Sequence, residues 1–196
     1  MNKQEIVRFF DALAATWDDE LHPDDAKMQR ILDAAKVKAG SRVLDIACGT
    51  GVMFPFYLQR GAAHITGADI SEKMASVCRE KFRGDARIDV LVADAETYAF
   101  DTGYDVCMIF NAFPHFCNRE TLLNNLKKAL VSGGTLTVAH DWGRKALDKH
   151  HEDTAGEVSS GLMPEEELAA LFEQCGFTDV YAYADEGIYI VSGTKQ

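Results

Sequence analysis

The sequence predicts an α/β fold, a doubly wound, mostly parallel seven-stranded sheet that ends in a C-terminal antiparallel hairpin. Short apolar runs alternate with amphipathic helical stripes along most of the chain, which is typical of a parallel sheet covered by helices. The last two runs, 178–184 and 187–192, follow each other with no helix between them, which is typical of an antiparallel pair. A chain of 196 residues buries roughly 70% of its extended surface, enough for one domain.

Two helices are predicted before the first strand. Apolar residues recur every three or four positions, first at Ile6, Phe9, Phe10, Leu13 and Trp17 and then at Met28, Ile31, Leu32 and Ala35. Pro23 is typical of the first turn of the second helix, because its missing N–H is not needed there.

Five strands then alternate with helices. They are predicted at 42–47, 64–69, 88–92, 104–110 and 135–139. Ser71 and Asn118 are expected to cap the helices after the second and fourth strands, because their short polar side chains accept free N–H groups. The Gly133–Gly134 pair is expected to end the latter helix, and the last helix is predicted between Pro164 and Gly176.

Residues 141–163 form a polar, irregular connection between the fifth strand and the last helix. This connection is longer than most loops in compact domains. We therefore expect a functional loop there.

The charge balance indicates a small-molecule partner. The chain has 31 acidic and 20 basic residues and a net charge of −11, so it offers few cations to nucleic acid or to an anionic membrane. The first ten residues lack the apolar stretch of a signal peptide, and no window resembles a membrane span. We expect a cytoplasmic monomer or homodimer.

A glycine turn follows the first strand in the run Asp45-Ile-Ala-Cys-Gly49-Thr-Gly51. Glycines let the backbone turn sharply and approach a ligand closely. A dinucleotide-binding turn would need a third glycine where this chain has Phe54, which disfavours an NAD-linked oxidoreductase. No Lys-Ser or Lys-Thr pair follows, which excludes a Walker loop.

The run Val43–Gly51 resembles the signature of class I S-adenosylmethionine-dependent methyltransferases, although Ala47 stands where many members have glycine. The resemblance extends over nearly the whole chain. It implies a Rossmann-like methyltransferase fold with S-adenosylmethionine as the cofactor. The expected arrangement is a single domain over 1–196, with an N-terminal helical cover at 1–38 and a cofactor-binding core at 39–196.

The resemblance also implies which residues hold the cofactor. Asp69 would hold the ribose hydroxyls, Ile70 would flank the adenine, and Asp94 with Ala95 would meet the adenine amino group. The full expected set is Asp45, Ala47, Cys48, Gly49, Gly51, Asp69, Ile70, Asp94, Ala95 and Asn111. Acidic residues suit this cofactor because its sulfonium and ammonium groups are cationic.

Histidines are the candidate catalytic residues. His115 follows the fourth strand and His140 ends the fifth, so both could face the methyl acceptor, one as a base. His151 in the long loop could join them in a site for zinc or iron. The alternative is that the histidines act separately, without a metal.

The N-terminal stripe has two interpretations, packing on the sheet or, as in similar enzymes, a lid over the cofactor. The fourth strand ends in Asn111-Ala-Phe-Pro, unlike similar enzymes that methylate amino groups of DNA or glutamine. Together with His140 and His151, this stretch resembles a subgroup of small microbial methyltransferases. The expected reaction is in-line methyl transfer to O, S or N of a small molecule. The alternatives are an NAD-linked oxidoreductase and a non-catalytic cofactor- or metal-binding protein.

Overall fold

The computed structural model describes residues 2–143 and 158–196. They form an α/β fold around one sheet. The strands are β1 (Arg42–Ile46), β2 (His64–Asp69), β3 (Ile88–Val92), β4 (Tyr104–Phe110), β5 (Leu130–His140), β6 (Phe177–Ala184) and β7 (Tyr189–Lys195). The α-helices are α1 (Lys3–Leu13), α2 (Asp25–Ala34), α3 (Phe54–Gln59), α4 (Glu72–Lys81), α5 (Arg119–Ala129) and α6 (Glu165–Gln174).

The sheet has seven strands in the order β3-β2-β1-β4-β5-β7-β6. The strands from β3 to β5 pair in parallel, whereas β7 runs antiparallel to both β5 and β6. The strand order reverses beside β1, which leaves a crevice at the carboxyl ends of β1 and β4. The predicted doubly wound sheet with its antiparallel hairpin is therefore confirmed.

The core lies on both faces of the sheet, because neighbouring residues of a strand point to opposite sides. Leu44 belongs to a cluster that includes Leu126 of α5 and Phe172 of α6. The adjacent Val43 belongs to a second cluster that includes Ile31 of α2 and residues of α3. The helices thus cover the sheet from both sides.

Two predicted helix caps are present. The Ser71 hydroxyl accepts a hydrogen bond from the Met74 N–H at 3.1 Å, at the start of α4. The Asn118 side chain accepts one from the Thr121 N–H at 3.2 Å, at the start of α5. Each cap satisfies a donor that the first helical turn leaves without an intrahelical partner.

The prediction that Gly133–Gly134 ends α5 is wrong. The helix ends at Ala129, and both glycines lie inside β5, which begins five residues earlier than the predicted Thr135. The pairing with β4 is irregular there, since Tyr104 opposes Leu130 but Val106 opposes Thr135. The glycines accommodate this irregularity: Gly133 has a φ of +80°, and the backbone crowds the position of a Cβ at Gly134.

The N-terminal stripe extends over two elements and not over one helix. The helix α1 ends at Leu13, and Trp17 begins a separate 3₁₀ turn, Trp17–Glu20. The Trp17 ring still meets the Phe10 ring, with centroids 5.7 Å apart. The segment therefore bends while its aromatic side chains stay together.

The connection at 141–163 is described at its two ends, 141–143 and 158–163. The predicted ligand His151 lies outside the described residues. Within 2–143 and 158–196, every helix is too short or too polar to span a bilayer.

Candidate functional site

A cavity of about 740 Å³ opens at the carboxyl ends of the parallel strands. Its wall includes residues that follow β1, β2, β3, β4 and β5, together with side chains from the N-terminal segment 2–23. A volume in this range is typical of a site for a cofactor or drug-sized ligand. The position agrees with the rule that ligands bind where the strand order reverses.

Eight of the ten predicted cofactor-binding residues line this cavity. They are Ala47, Cys48, Gly49, Asp69, Ile70, Asp94, Ala95 and Asn111. The other two, Asp45 and Gly51, do not appear on its wall. Their roles, like those of the other eight, stay predictions from the resemblance.

The glycine turn after β1 brings the backbone to the cavity. Ala47 and Gly49 adopt the left-handed region, with φ of +53° and +55°. A Cβ at Gly49 would meet only Trp17 Nε1, at 3.9 Å, so the backbone there is open to the cavity. Gly51 acts differently, because a Cβ there would lie 2.6 Å from the Phe82 ring and 2.8 Å from Cys78 Sγ. It packs the turn against α4.

Asp69 ties two ligand-facing turns together. Its Oδ2 accepts a hydrogen bond from the Gly49 N–H and its Oδ1 accepts one from the Ser71 N–H, both at 2.8 Å. Burial raises the pKa of this carboxyl above its ordinary value, against the lowering effect of these hydrogen bonds. Asp69 therefore couples the turn after β1 to the start of α4.

Asp45 lies within the core beneath the turn. Its side chain is buried, faces the Tyr57 hydroxyl, and lies close enough to Asp69 to sense its charge. Burial raises the pKa of the Asp45 carboxyl to about 8, so it holds its proton at neutral pH. In this structure Asp45 is thus buried off the cavity wall.

Lys3 and Glu96 are site residues that the sequence analysis missed. The Lys3 ammonium, on α1, lies 2.6 Å from Asp94 Oδ2 and 2.7 Å from Glu96 Oε2. Glu96 is buried, and it also accepts hydrogen bonds from the backbone N–H groups of Cys117 and Asn118. One carboxylate thus joins α1, the turn after β3 and the start of α5. A local sequence pattern could not predict the ion pair between Lys3 and Glu96, because about ninety positions separate them.

The N-terminal segment makes two more polar contacts with turns at the cavity. Asp11 of α1 accepts a hydrogen bond from the Ser71 hydroxyl at 2.5 Å. Asp18 accepts one from the Thr50 hydroxyl at 2.5 Å, and its other oxygen pairs with Lys81. The aromatic side chains of the segment line the cavity: Phe9, Phe10 and Trp17. These rings form one side of the cavity, and a lid over the cofactor stays a prediction.

His115 lies on the cavity wall. Its Nδ1 is 2.7 Å from the Val158 carbonyl oxygen, so Nδ1 carries a proton and donates it, which leaves Nε2 as the acceptor nitrogen. Burial lowers the pKa of the imidazole, partly offset by the Val158 carbonyl, so the ring is neutral at pH 7. Phe10 packs edge-on against it, with ring centroids 5.1 Å apart.

His140 occupies a different environment. It is fully buried at the end of β5, where its ring stands edge-on to Tyr189 at 6.0 Å between centroids. His115 is on the cavity wall and His140 is not, so the described residues do not bring the two together at its surface. Among residues 2–143 and 158–196, no group of three or more His, Cys, Asp and Glu side chains could hold a metal ion. A site that includes His151 stays a prediction.

The carboxyl ends of β4 and β5 are joined by Asn111 and Asp141. Asn111 Nδ2 donates to Asp141 Oδ1 at 2.8 Å, and the Asp141 N–H donates to Asn111 Oδ1 at 3.2 Å. Asn111 has a φ of +53°, a conformation that asparagine tolerates better than most residues. Gly143 then packs on the hairpin turn, where a Cβ would collide with the carbonyl oxygens of Asp185 and Glu186.

These features define a class of protein, an α/β fold with the strand order β3-β2-β1-β4-β5-β7-β6 and a cavity lined by a glycine turn and acidic strand ends. Residues 43–134 match the model of a methyltransferase domain. This match and the relatives described below support a class I S-adenosylmethionine-dependent methyltransferase.

Curated relatives match part of the chain. A demethylmenaquinone methyltransferase of Thermus thermophilus is 35% identical over 115 residues, which cover 56% of this chain and 51% of that protein. The chain spans 33–64% of the length of three further curated relatives.

Solved structures share the fold at low identity. A phosphoethanolamine N-methyltransferase of Haemonchus contortus, in complex with S-adenosylmethionine, matches with a TM-score of 0.78 and 16% identity over 100% of this chain and 60% of that one. The [4+2]-cyclase SpnF matches with a TM-score of 0.80 and 17% identity, over 100% and 97% of the two chains. The fold is therefore shared by proteins of different named activities.

Proposed function

We propose that this protein is an S-adenosylmethionine-dependent methyltransferase that methylates O, S or N of a small molecule. The observation that carries the proposal is the placement of eight predicted cofactor-binding residues on the wall of one cavity. The match of residues 43–134 to a methyltransferase-domain model supports the same cofactor. The names of the relatives support small-molecule acceptors.

The residues present fit this cofactor. The wall carries the carboxylates of Asp69 and Asp94, which suit a cationic ligand with ribose and amino donors. The bare backbone at Gly49 leaves room for close approach, because a Cβ there would enter the cavity. When bound, the cofactor supplies a methyl group activated by its sulfonium.

The chain's own contribution would be binding, orientation and exclusion of water. Asp69 and Ile70 would hold the nucleoside, as the resemblance implies. Phe10 and Trp17 would cover it, because both lie on the cavity wall. Neutral His115, with Nε2 as its acceptor nitrogen, could take a proton from an acceptor hydroxyl or thiol. We do not assign a metal to this proposal, since the described residues form no three-ligand cluster.

Calorimetric titration with S-adenosylhomocysteine and, separately, with NADH tests the cofactor. S-adenosylhomocysteine should bind and NADH should not. An Asp69→Ala variant should lose at least about tenfold in affinity, the loss of one or two hydrogen bonds to a charged group. Binding of NADH alone would contradict the proposal. Since a cyclase shares the fold, turnover must be read as release of S-adenosylhomocysteine.

A further inference from the structure

The part of the cavity wall that lies outside the ten predicted cofactor-binding residues is mainly aromatic and acidic. Its aromatic members come from the N-terminal segment and from the residues after β4 and β5: Phe9, Phe10, Trp17, Phe116 and Trp142. Three carboxylates share this wall, Asp19, Glu96 and Asp141, and Glu96 is already paired with Lys3. Aromatic faces together with carboxylates attract organic cations, because the ring quadrupole and the negative charge act in the same direction.

Asp141 is held in one orientation by its neighbour. Asn111 donates to Oδ1 at 2.8 Å, and the Asp141 N–H donates back to Asn111 at 3.2 Å, so both the backbone and the side chain are fixed. Lys27 donates to the main-chain oxygen of Asp141 at 2.7 Å and thus holds the strand end, not the carboxylate. Within the described residues, Oδ2 makes no hydrogen bond.

The cation on this wall is already paired. Among residues 2–143 and 158–196, Lys3 is the one lysine or arginine that lines the cavity. Its ammonium is bound to Asp94 and Glu96, at 2.6 and 2.7 Å. His115 is neutral, because burial lowers its pKa. An anionic acceptor would therefore meet carboxylates without a compensating charge from these residues.

We propose that the methyl acceptor is an amine with an apolar body, and that its ammonium form binds the Asp141 carboxylate. The apolar body packs against the aromatic wall, including Trp142 and Phe116. This inference rests on the proposed function and names the acceptor class of the same site. Asp141 is an acceptor-binding residue. The bound ammonium gives up a proton, to neutral His115 on the same wall or to water, and the free lone pair then attacks the methyl group as S-adenosylhomocysteine leaves.

Three probes of similar size test the charge preference: 2-phenylethylamine, 2-phenylethanol and phenylacetate. Titration calorimetry is run with each probe, in the presence and absence of saturating S-adenosylhomocysteine. The amine should bind at least about tenfold more tightly than phenylacetate, since a charge-assisted hydrogen bond replaces a like-charge contact. Equal or tighter binding of phenylacetate would overturn the inference.

The variant Asp141→Asn tests the residue. Asparagine still accepts the hydrogen bond from Asn111 through its Oδ1, so the strand ends stay joined. Its affinity for the amine should fall about tenfold while that for the alcohol changes less than about twofold. The control Asp101→Asn removes an exposed acid that lies off the cavity wall and should leave all three affinities unchanged.

The two proposals fail separately. Equal or tighter binding of phenylacetate to the wild type overturns the acceptor class, and unchanged amine preference in Asp141→Asn overturns the assignment to Asp141, whether or not S-adenosylhomocysteine binds. Failure of S-adenosylhomocysteine to bind the wild-type protein overturns the proposed function, while the probe titrations without it still decide the amine preference.

Discussion

Lys3 Nζ lies 2.6 Å from Asp94 Oδ2, so the first helix is bound to the turn that the resemblance assigns to the adenine. The same ammonium meets Glu96, whose side chain is only 6% exposed. These contacts close one end of the N-terminal segment onto the cavity. The hold is modest, because the Lys3 side chain is itself 35% exposed and solvent screens the pair.

Lys3→Met should therefore loosen α1 without unfolding the protein. Loss of this partly exposed pair, about 1 kcal/mol, should speed amide exchange in α1 roughly fivefold. Hydrogen-exchange mass spectrometry of the peptide around Ile6 measures the effect. Lys73→Met removes an exposed lysine of α4 and serves as the control. Identical exchange in the wild type and Lys3→Met would show that the pair does not hold the helix.

The buried carboxyl of Asp45 should make stability depend on pH. Burial raises its pKa to about 8, whereas an unfolded aspartate ionises near pH ~3.9. Its contribution to folding is thus complete below about pH 4 and is lost as the pH rises toward about 8. Relative to Asp45→Asn, the wild type should lose up to about 1.4 kcal/mol of unfolding free energy per pH unit in this window.

Urea denaturation at several pH values between those limits measures this slope. The control Asp101→Asn changes an exposed acid and should follow the wild-type profile. Parallel profiles for wild type and Asp45→Asn would mean that Asp45 ionises normally in the folded protein.

Gly51 and Gly84 form a matched pair for the packing of the glycine turn. Both have positive φ, +84° and +91°, so alanine is strained at either position. At Gly51 the new Cβ would also lie 2.6 Å from Phe82, whereas at Gly84 nothing lies within 4 Å. Gly51→Ala should cost about 2–5 kcal/mol of unfolding free energy and Gly84→Ala about 1–2. Equal losses, measured by urea denaturation, would exclude a packing role for Gly51.

His115→Asn should separate the structural and chemical roles of His115. The asparagine amide can still donate to the Val158 carbonyl, which replaces the bond made by Nδ1 at 2.7 Å. S-adenosylhomocysteine affinity should stay within about twofold. Methyl transfer should fall by about a hundredfold or more if His115 takes the proton from the acceptor.

The pH profile gives a second measurement. Because burial lowers the pKa of His115, turnover should not decline between pH 8 and about 6.5. His64→Asn, a histidine off the cavity wall, is the control. Full turnover in His115→Asn would leave this residue with a structural role only.

The parts of the fold that follow local rules could be predicted from the sequence. The strands β2, β3 and β4 have the bounds that their apolar runs indicate, 64–69, 88–92 and 104–110. The caps Ser71 and Asn118 were recognisable because a cap acts within three residues. The acidic strand ends followed from the family resemblance.

The rest depends on contacts between distant segments. The orientation of the His140 side chain depends on the pleat of β5 and on its pairing with Tyr189 of β7. The sequence around His140 does not reveal this pairing. The pair of Lys3 with Glu96 requires α1 to lie over the turn after β3. Gly133 and Gly134 follow a helix in the sequence as a helix-ending pair would, but they lie in β5, where the register with β4 is irregular.

Gly143, just after β5, joins the cavity wall to the turn between β6 and β7. Its N–H donates to the Glu186 carbonyl at 3.2 Å, and no side chain fits between it and the hairpin turn. The position of Trp142, and with it one wall of the cavity, is therefore fixed by the last two strands. Substitutions in the hairpin turn should therefore alter the side of the cavity that we propose for the acceptor, while the turn after β1 keeps its own contacts with α4.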